Sequence, residues 1–571
     1  MVSFKIAYSD VVSMLQLSET TPMEELDTLF SYSKCEIEEY DLSDDYIKVD
    51  CKTSNRPDLW GVEGLTRELA GILGSEKGLP ELTTKPSGFV LEVDPSIKEV
   101  RPYIACSIVR GISFTDFLIK QLIQLQEKID FSFGRKRRKS SIGIYNINLV
   151  ESPIFYGLTP RTTSFVPLGY HDEMNLSEIL LNHEKGIEYG HILPEEGDLP
   201  ILRGANGVIL SLPPIINSND VGRVNEETTD VLIEVTGTNL EVVQTVTNIV
   251  TQALRDRGGE VYSVEVKYPR NHGEAPPVMI SPATVPFEIE VDPKEIARYL
   301  GLNLKKKDIK GLLLKRRLDV AERGKLLVVK YPPYRVDILH WVDVAEEVAI
   351  AYGYMQIPPK DLGFTTIGRI SPRSSSENYA REILSCCALQ EILSFTLTSP
   401  DYLSIKMGHD DSILSKCIEV ANPVSQTYSM IRNRLLPGLL SFLSRNTHVE
   451  YPQQLFEVGE TVTRTKNGIE TITKAAVALA GAEISFEDCH SILDTFMTRL
   501  GVKYSIISTK DSEFLPGRAA KIVVDGQQAG IIGEISPDLL ENWQIFVPTV
   551  SFELDLSVFK PLSLPPLFTY E

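Results

Sequence analysis

The order of apolar and polar residues divides the 571-residue chain into four blocks, each mixing strand and helix periods. Alternation with a period of two, the mark of a strand with one buried face, runs through Tyr46-Ile47-Lys48-Val49-Asp50. Thr53-Ser54-Asn55-Arg56-Pro57-Asp58 then joins capping residues to a proline. That suits a first helical turn, where the missing N–H of proline costs nothing. Leu59, Val62, Leu69 and Leu73 follow near helical spacing and predict a half-buried helix, with Gly71 and Gly74 as its stop. In the second block the pattern predicts strands at 108–112, 207–211 and 260–266 and a helix over 242–253. The third opens with a strand at 285–291 and a helix over 293–300 that Gly301 stops; a hairpin and a helix over 342–353 complete it. The fourth carries a long helix at 376–388 and strands at 454–458, 476–480, 520–524 and 550–556, the spacing of an antiparallel sheet with helices. Clusters around Pro86, Pro276-Pro277 and Pro358-Pro359 punctuate the chain. The expected fold class is α+β, multi-domain, with domains at 1–85, 86–275, 276–357 and 358–571.

Composition narrows the function classes. Hydrophobic residues make up 43% and charged residues 24%, the balance of a folded globular protein. With 57 basic against 78 acidic residues, the net charge of −21 disfavours broad contact with phosphate or with anionic membranes. Nucleic acid therefore has to be met through a local patch. The seven cysteines contain no Cys-x-x-Cys, which argues against a disulfide framework and a zinc ribbon. The first ten residues lack the pattern of a signal peptide, and no run of about 18 apolar residues occurs. A reducing cytoplasm is the expected location. There is no phosphate-binding Gly-x-x-x-x-Gly-Lys loop, no dinucleotide loop and no Gly-x-Ser-x-Gly elbow, and His183-Glu184 lacks the second histidine of a zinc protease helix.

Four stretches carry a resemblance to a known family. They are Ser54-Asn55-Arg56-Pro57-Asp58-Leu59-Trp60-Gly61-Val62-Glu63-Gly64, Leu212-Pro213-Pro214-Ile215-Ile216-Asn217, Val235-Thr236-Gly237-Thr238 and Pro332-Pro333-Tyr334-Arg335-Val336-Asp337. The last continues into 343–354. In order and spacing they resemble the archaeal and eukaryotic type of phenylalanyl-tRNA synthetase β subunit. The resemblance implies a ligase of two α and two β chains. The α subunit binds ATP and phenylalanine; the β subunit supports it, contacts tRNA and hydrolyses mischarged tyrosyl-tRNA. It also implies an editing domain at 86–275, a small winged-helix-like domain at 276–357 and an inactive, degenerate class II synthetase-like antiparallel sheet at 358–571. Arg432, Arg434 and Arg445 lie in that last domain and read as ordinary surface or interface arginines.

Tyrosine differs from phenylalanine by one hydroxyl, which an apolar pocket rejects only weakly. An editing pocket needs a polar acceptor at its deep end. Glu234 and Thr236, two residues apart, put an acceptor and a hydroxyl on one strand face. Ser211 and Asn217 flank an apolar turn, and Leu202 is placed as a wall. In the family these positions resemble editing-pocket residues. Taken without the resemblance, Glu234 reads as a strand-end acid paired with a lysine, and Ser211 as a strand residue. One departure stands out: many relatives carry His-Asp after Ser141-Ile142-Gly143-Ile144, whereas Tyr145-Asn146 stands here. The expectation is that editing is weakened or uses substitute groups.

Asp343, Glu346 and Glu347 share a helical face, and Asp337 precedes them by six residues. Magnesium takes carboxylate ligands, and the four match the family's magnesium positions; the alternative is that they complement a helix dipole. Arg135-Lys136-Arg137-Arg138-Lys139 is a run of five basic residues and a candidate tRNA contact. Two further readings stay open: a free-standing hydrolase of mischarged tRNA, and a tRNA-binding scaffold with an inert pocket.

Overall fold

The computed structural model describes residues 2–80, 82–361, 363 and 366–559. They fall into two compact units, Met1–Asp361 and Leu362–Glu571. In the first unit, strands Val2–Ala7 and Cys35–Asp41 flank Tyr46–Cys51 in an antiparallel sheet. The alternation read in Tyr46–Cys51 is real: Ile47, Val49 and Cys51 are fully buried. Pro57 opens a single 3-10 turn, Pro57–Leu59, rather than the helix. The helix α1 starts three residues later and runs Val62–Leu73, ending at Gly74 with φ 84°. It presses on that turn so closely that a Cβ on Gly64 would lie 1.6 Å from the Asp58 carbonyl oxygen.

A ten-stranded sheet follows. Its elements include β1 (Tyr103–Arg110), helix α2 (Asp116–Phe131), β2 (Ser140–Asn146), β3 (Leu199–Arg203), β4 (Ile209–Leu212), β5 (Ile216–Asn217), β6 (Val231–Gly237) and helix α3 (Leu240–Asp256). The spatial order is β5-β4-β3, then Ile154–Thr159, Lys85–Val93 and Glu260–Lys267, then β1-β6-β2. Val278–Ser281 pairs with Glu260–Lys267, so this block's sheet continues past residue 275. β5 and β2 are the two ends of the order, yet their side chains meet, which shows how far the sheet curls.

The third block is a three-stranded sheet, Phe287–Val291, Leu326–Tyr331 and Asp319–Arg323 in spatial order. Helices Pro293–Leu300, Lys306–Lys315 and α4 (Trp341–Tyr352) share its core. Gly301 ends the first of these with φ 66°, as its position suggested.

In the second unit, seven strands form a sheet in which only Gln390–Glu391 and Gln453–Thr465 pair in parallel. Gly468–Ala480 shows why it is buried on both faces. Ala475, Val477 and Leu479 pack with residues of helices Pro372–Cys386 and Phe486–Arg499, while Ala476, Ala478 and Ala480 pack with Leu436–Arg445. Successive strand residues point to opposite faces, and both faces here are apolar. Arg432 lies below the surface, and Arg434 is partly buried. Arg432 is buried and paired with Glu457 at 2.5 Å, and Arg434 binds Glu513 at 2.7 Å. Arg445 reaches the Tyr402 hydroxyl at 3.0 Å.

Candidate functional site

β6 lies between β1 and β2, with Glu234 opposite Cys106 on one side and Gly143 on the other. Across the sheet, Ser211 on β4 pairs with Leu202 on β3 and Asn217 on β5. Tyr145 joins these distant groups. Gly143 lacks a side chain, and a Cβ there would fall 2.1 Å from the Tyr145 hydroxyl, so the tyrosine ring folds back over it. The hydroxyl donates to Glu234 Oε2 at 2.8 Å and reaches Ser211 Oγ at 2.9 Å and Asn217 Oδ1 at 3.4 Å. Tyr145 is wholly buried. The residue that departs from the family pattern is therefore the one that ties three expected pocket residues together.

In front of this cluster is a cavity of about 250 Å³, lined among others by Ser211, Asn217, Glu234, Asp130, Arg137 and Ser141. Leu202 and Thr236 are not on its lining. Leu202 is fully buried in the main core, and Thr236 faces Arg101. The buried guanidinium of Arg101 donates to Thr236 Oγ1 (2.9 Å), the Thr236 carbonyl (2.7 Å), Ser141 Oγ (3.0 Å) and the Arg137 carbonyl (3.0 Å). Among the described residues, no lysine pairs with Glu234. Arg101 has no counterpart in the sequence reading, because its partners lie 36–135 residues away.

Burial pushes the Glu234 carboxyl up to about 7, against the Tyr145 hydrogen bond and the charge of Arg101. Its second oxygen, Oε1, is buried and has no hydrogen-bond partner. Asp130, on α2, is also pushed up to about 7 by burial, against the pull of Arg137 and Arg101. Its Oδ2 lies 3.5 Å from Arg137 Nε, and its Oδ1 has no partner. Arg137 donates to the Pro214 and Ile215 carbonyls (3.0 and 2.8 Å), which fixes it at the cavity wall. The cavity thus holds an unsatisfied acceptor, a second acid titrating near neutrality and a fixed guanidinium. Such groups suit general-base hydrolysis.

The basic run does not act as one patch. Arg135, Lys136 and Arg138 are exposed, Lys139 is half-buried and Arg137 turns inward. Positive φ at residues 135–137 makes that turn.

The four acids expected to hold magnesium are not brought together. Asp337 binds Arg335 (2.7 Å), and Glu347 binds Arg316 (2.6 Å) and Arg335 (2.9 Å). Asp343 caps α4 by accepting from the Leu339 and His340 N–H groups, and Glu346 pairs with Lys34 at 2.5 Å. Among the described residues, no group of three or more His, Cys, Asp or Glu side chains is placed to hold a metal ion. Glu347 and, beside it, Asp337 instead belong to a largely buried ion network, while Asp343 is half-buried and Glu346 exposed. Arg56 binds Asp58 (2.7 Å) and Glu68 (3.1 Å), and Arg316 bridges Glu68 (2.8 Å) to Glu347. These side chains lie in or beside two of the four family-like stretches, so the network joins α1 to α4. The arginines hold Glu347 well below the usual carboxylate range despite its burial.

Comparison with known proteins agrees with this architecture. Residues 289–354 match the family described as tRNA synthetase B5 domain, and residues 359–556 match the phenylalanyl tRNA synthetase beta chain CLM domain. The phenylalanine–tRNA ligase beta subunit of Pyrococcus abyssi is 42% identical, over 99% of this chain and 100% of the relative. That of Pyrococcus furiosus is 41% identical, over 98% and 100%. An N-terminal fragment of the phenylalanyl-tRNA synthetase beta subunit from Pyrococcus horikoshii superposes with a TM-score of 0.59 at 40% identity, covering 62% of this chain and all of the fragment. No helix among the described residues is long and apolar enough to cross a membrane. With near full-length identity of 38–42% to a series of archaeal relatives, the chain belongs to the family of phenylalanine–tRNA ligase β subunits.

Proposed function

We propose that this chain works with a phenylalanine–tRNA ligase α subunit, as two α and two β chains in the cytoplasm, and that it binds tRNA and removes tyrosine wrongly attached to it. ATP, with its magnesium, is handled by the α subunit. Asp337, Asp343, Glu346 and Glu347 then serve as structural charges. The observation that carries the editing reading is Glu234, which lines the cavity and keeps one buried carboxylate oxygen, Oε1, without a hydrogen-bond partner. A tyrosyl phenol donates to it, whereas a phenylalanyl ring leaves a buried oxygen unpaired, which costs about 1–3 kcal/mol or more. Asp130, free at Oδ1, takes a proton from water as it attacks the ester carbonyl, and Arg137 stabilises the negative charge that develops on the carbonyl oxygen. As the tetrahedral adduct collapses, the ester C–O bond breaks and Asp130 returns its proton to the departing oxygen, which leaves as the tRNA terminal hydroxyl. Arg135, Lys136, Arg138 and Lys139 contact tRNA phosphates beside the cavity.

The test is deacylation of tyrosyl-tRNA and phenylalanyl-tRNA by the αβ complex. Wild type hydrolyses the tyrosyl ester selectively, and Glu234→Ala loses the selectivity by about tenfold or more. Equal hydrolysis of both esters by wild type removes the specificity role. No hydrolysis of either favours the inert scaffold, a reading to which the Tyr145 clamp on Glu234, Ser211 and Asn217 lends weight.

A further inference from the structure

We infer that the first unit carries a second binding site, for a small phosphate monoester bearing a hydroxyl or amino group, in a cleft between α1, α3 and the segment around Lys77. This cleft has a volume of about 500 Å³ and shares no lining residue with the hydrolytic cavity. Its size lies within the range of about 300–1,000 Å³ common for small-molecule sites.

The charges in it do not balance. Arg67 is paired with Asp256 and its guanidinium lies over the Tyr334 ring. Arg317 is paired with Glu76 at 2.7 Å, and Glu63 is drawn off by Arg257, also at 2.7 Å. Arg255 and Lys77 remain, and neither side chain has a hydrogen-bond or ion-pair partner among the described residues. Two cations with no side-chain partner among the described residues thus line one cleft in a chain whose net charge is −21, Arg255 in the last turn of α3 and Lys77 in solvent. A dianion would pair with both.

Two further atoms give the site its polarity. Arg317 is 7% exposed and its Nε–H has no acceptor; Gln252 is 1% exposed and its Oε1 has no donor. Both residues line the cleft. Buried polar groups are ordinarily satisfied, so an orphan donor and an orphan acceptor on two residues that line one cleft point to a ligand that supplies both. The Arg317 Nε–H and the two free cations match phosphate oxygens. Gln252 Oε1, held in place because its Nε2 donates to Asp256 at 2.8 Å, accepts from a hydroxyl or amine. A sugar phosphate has both functions.

The test is isothermal titration of the full-length chain with ribose 5-phosphate, with ribose as the uncharged control. Ribose 5-phosphate is chosen over a nucleotide so that a partner's ATP site does not contribute. Saturable binding is expected, with ribose silent. The double variant Lys77→Ala/Arg255→Ala weakens binding about tenfold or more, since each lost charged hydrogen bond carries a cost of that order. Its thermal unfolding profile stays unchanged, because Lys77 is exposed and Arg255 is only partly buried. No saturable signal up to about 10 mM, binding of ribose equal to that of its phosphate, or an unaltered isotherm in the folded double variant overturns the inference.

Discussion

Replacing Tyr145 with phenylalanine removes one oxygen from the centre of the site and leaves the ring in place. What is lost depends on the charge of Glu234. Tyr145 itself stays protonated, since burial and then the charge of Glu234 push its phenol well above its ordinary value. Above pH 7 Glu234 is ionised, and the bond at 2.8 Å is a charged one, contributing about 1.5–3 kcal/mol. Well below pH 7 Glu234 is neutral, and the same contact contributes about 0.5–1.5 kcal/mol. The destabilisation caused by Tyr145→Phe therefore grows by about 1 kcal/mol between pH 5.5 and 8.5. The sign for wild type follows from the raised carboxyl. With a folded value of about 7 against an ordinary 4.5, the folded state holds its proton more tightly. That contribution is complete below about pH 4.5 and is lost as pH rises through 7, by about 3 kcal/mol in all. Removing the phenol raises the carboxyl further and extends the loss to higher pH. Because a chain with two compact units is not expected to unfold in one step, the assay is amide hydrogen exchange in the peptide spanning Val231–Gly237, corrected for intrinsic rates, at pH 5.5 and 8.5. An equal loss of protection at both pH values would falsify the account of Glu234 as the acceptor. No loss at either would mean that the Tyr145 hydroxyl contributes nothing.

Three other outcomes are expected. Glu347→Ala leaves Arg316 and Arg335 buried with a partner missing and destabilises the first unit by about 3–5 kcal/mol, read as a fall in urea midpoint. Because Glu347 is held well below its ordinary 4.5, its contribution is present above that pH and disappears as pH falls toward the folded value. Gly64→Ala forces a Cβ to within 1.6 Å of the Asp58 carbonyl and yields little soluble protein, whereas Gly311→Ala, in a helix with open space around it, stabilises by about 1 kcal/mol in thermal melts. Neutralising Arg135, Lys136 and Arg138 together lowers the slope of log affinity for tRNA against log salt by about 0.7–0.9 per phosphate contact removed, while an unchanged slope places the tRNA elsewhere.

The sequence was most legible where one segment decides its own shape. The helix Pro293–Leu300 with Gly301, and the alternation of Tyr46–Cys51, depend on neighbours a few residues away. That Ser211, Asn217 and Glu234 lie together was also legible, because the family resemblance grouped positions that no local pattern could. Legibility failed wherever a side chain's partner is remote in the chain. Asp337, Asp343, Glu346 and Glu347 look like one carboxylate cluster when written in a line. Arg316, Arg335, Lys34 and the N–H groups at the head of α4 each claim a share of them. Burying Glu347 without cations would carry a large desolvation cost, and Arg316, 31 residues away, supplies one together with the nearby Arg335. Arg137 makes the same point within five residues. It sits in a run that reads as uniform, yet the Pro214 and Ile215 carbonyls and Asp130 draw it inward and leave its neighbours in solvent. Tyr145 is the most informative case. In the chain it reads as the loss of a histidine and hence as a weakened site. In the folded protein its ring lies over a glycine and holds Glu234 by one oxygen, while the other is buried without a partner. The substitution therefore replaces one way of fixing the pocket with another, and the direction in which it moves activity depends on whether Glu234 is better held or merely occupied. Deacylation by Tyr145→Phe decides between the two: a fall in tyrosyl selectivity means held, and a gain means occupied.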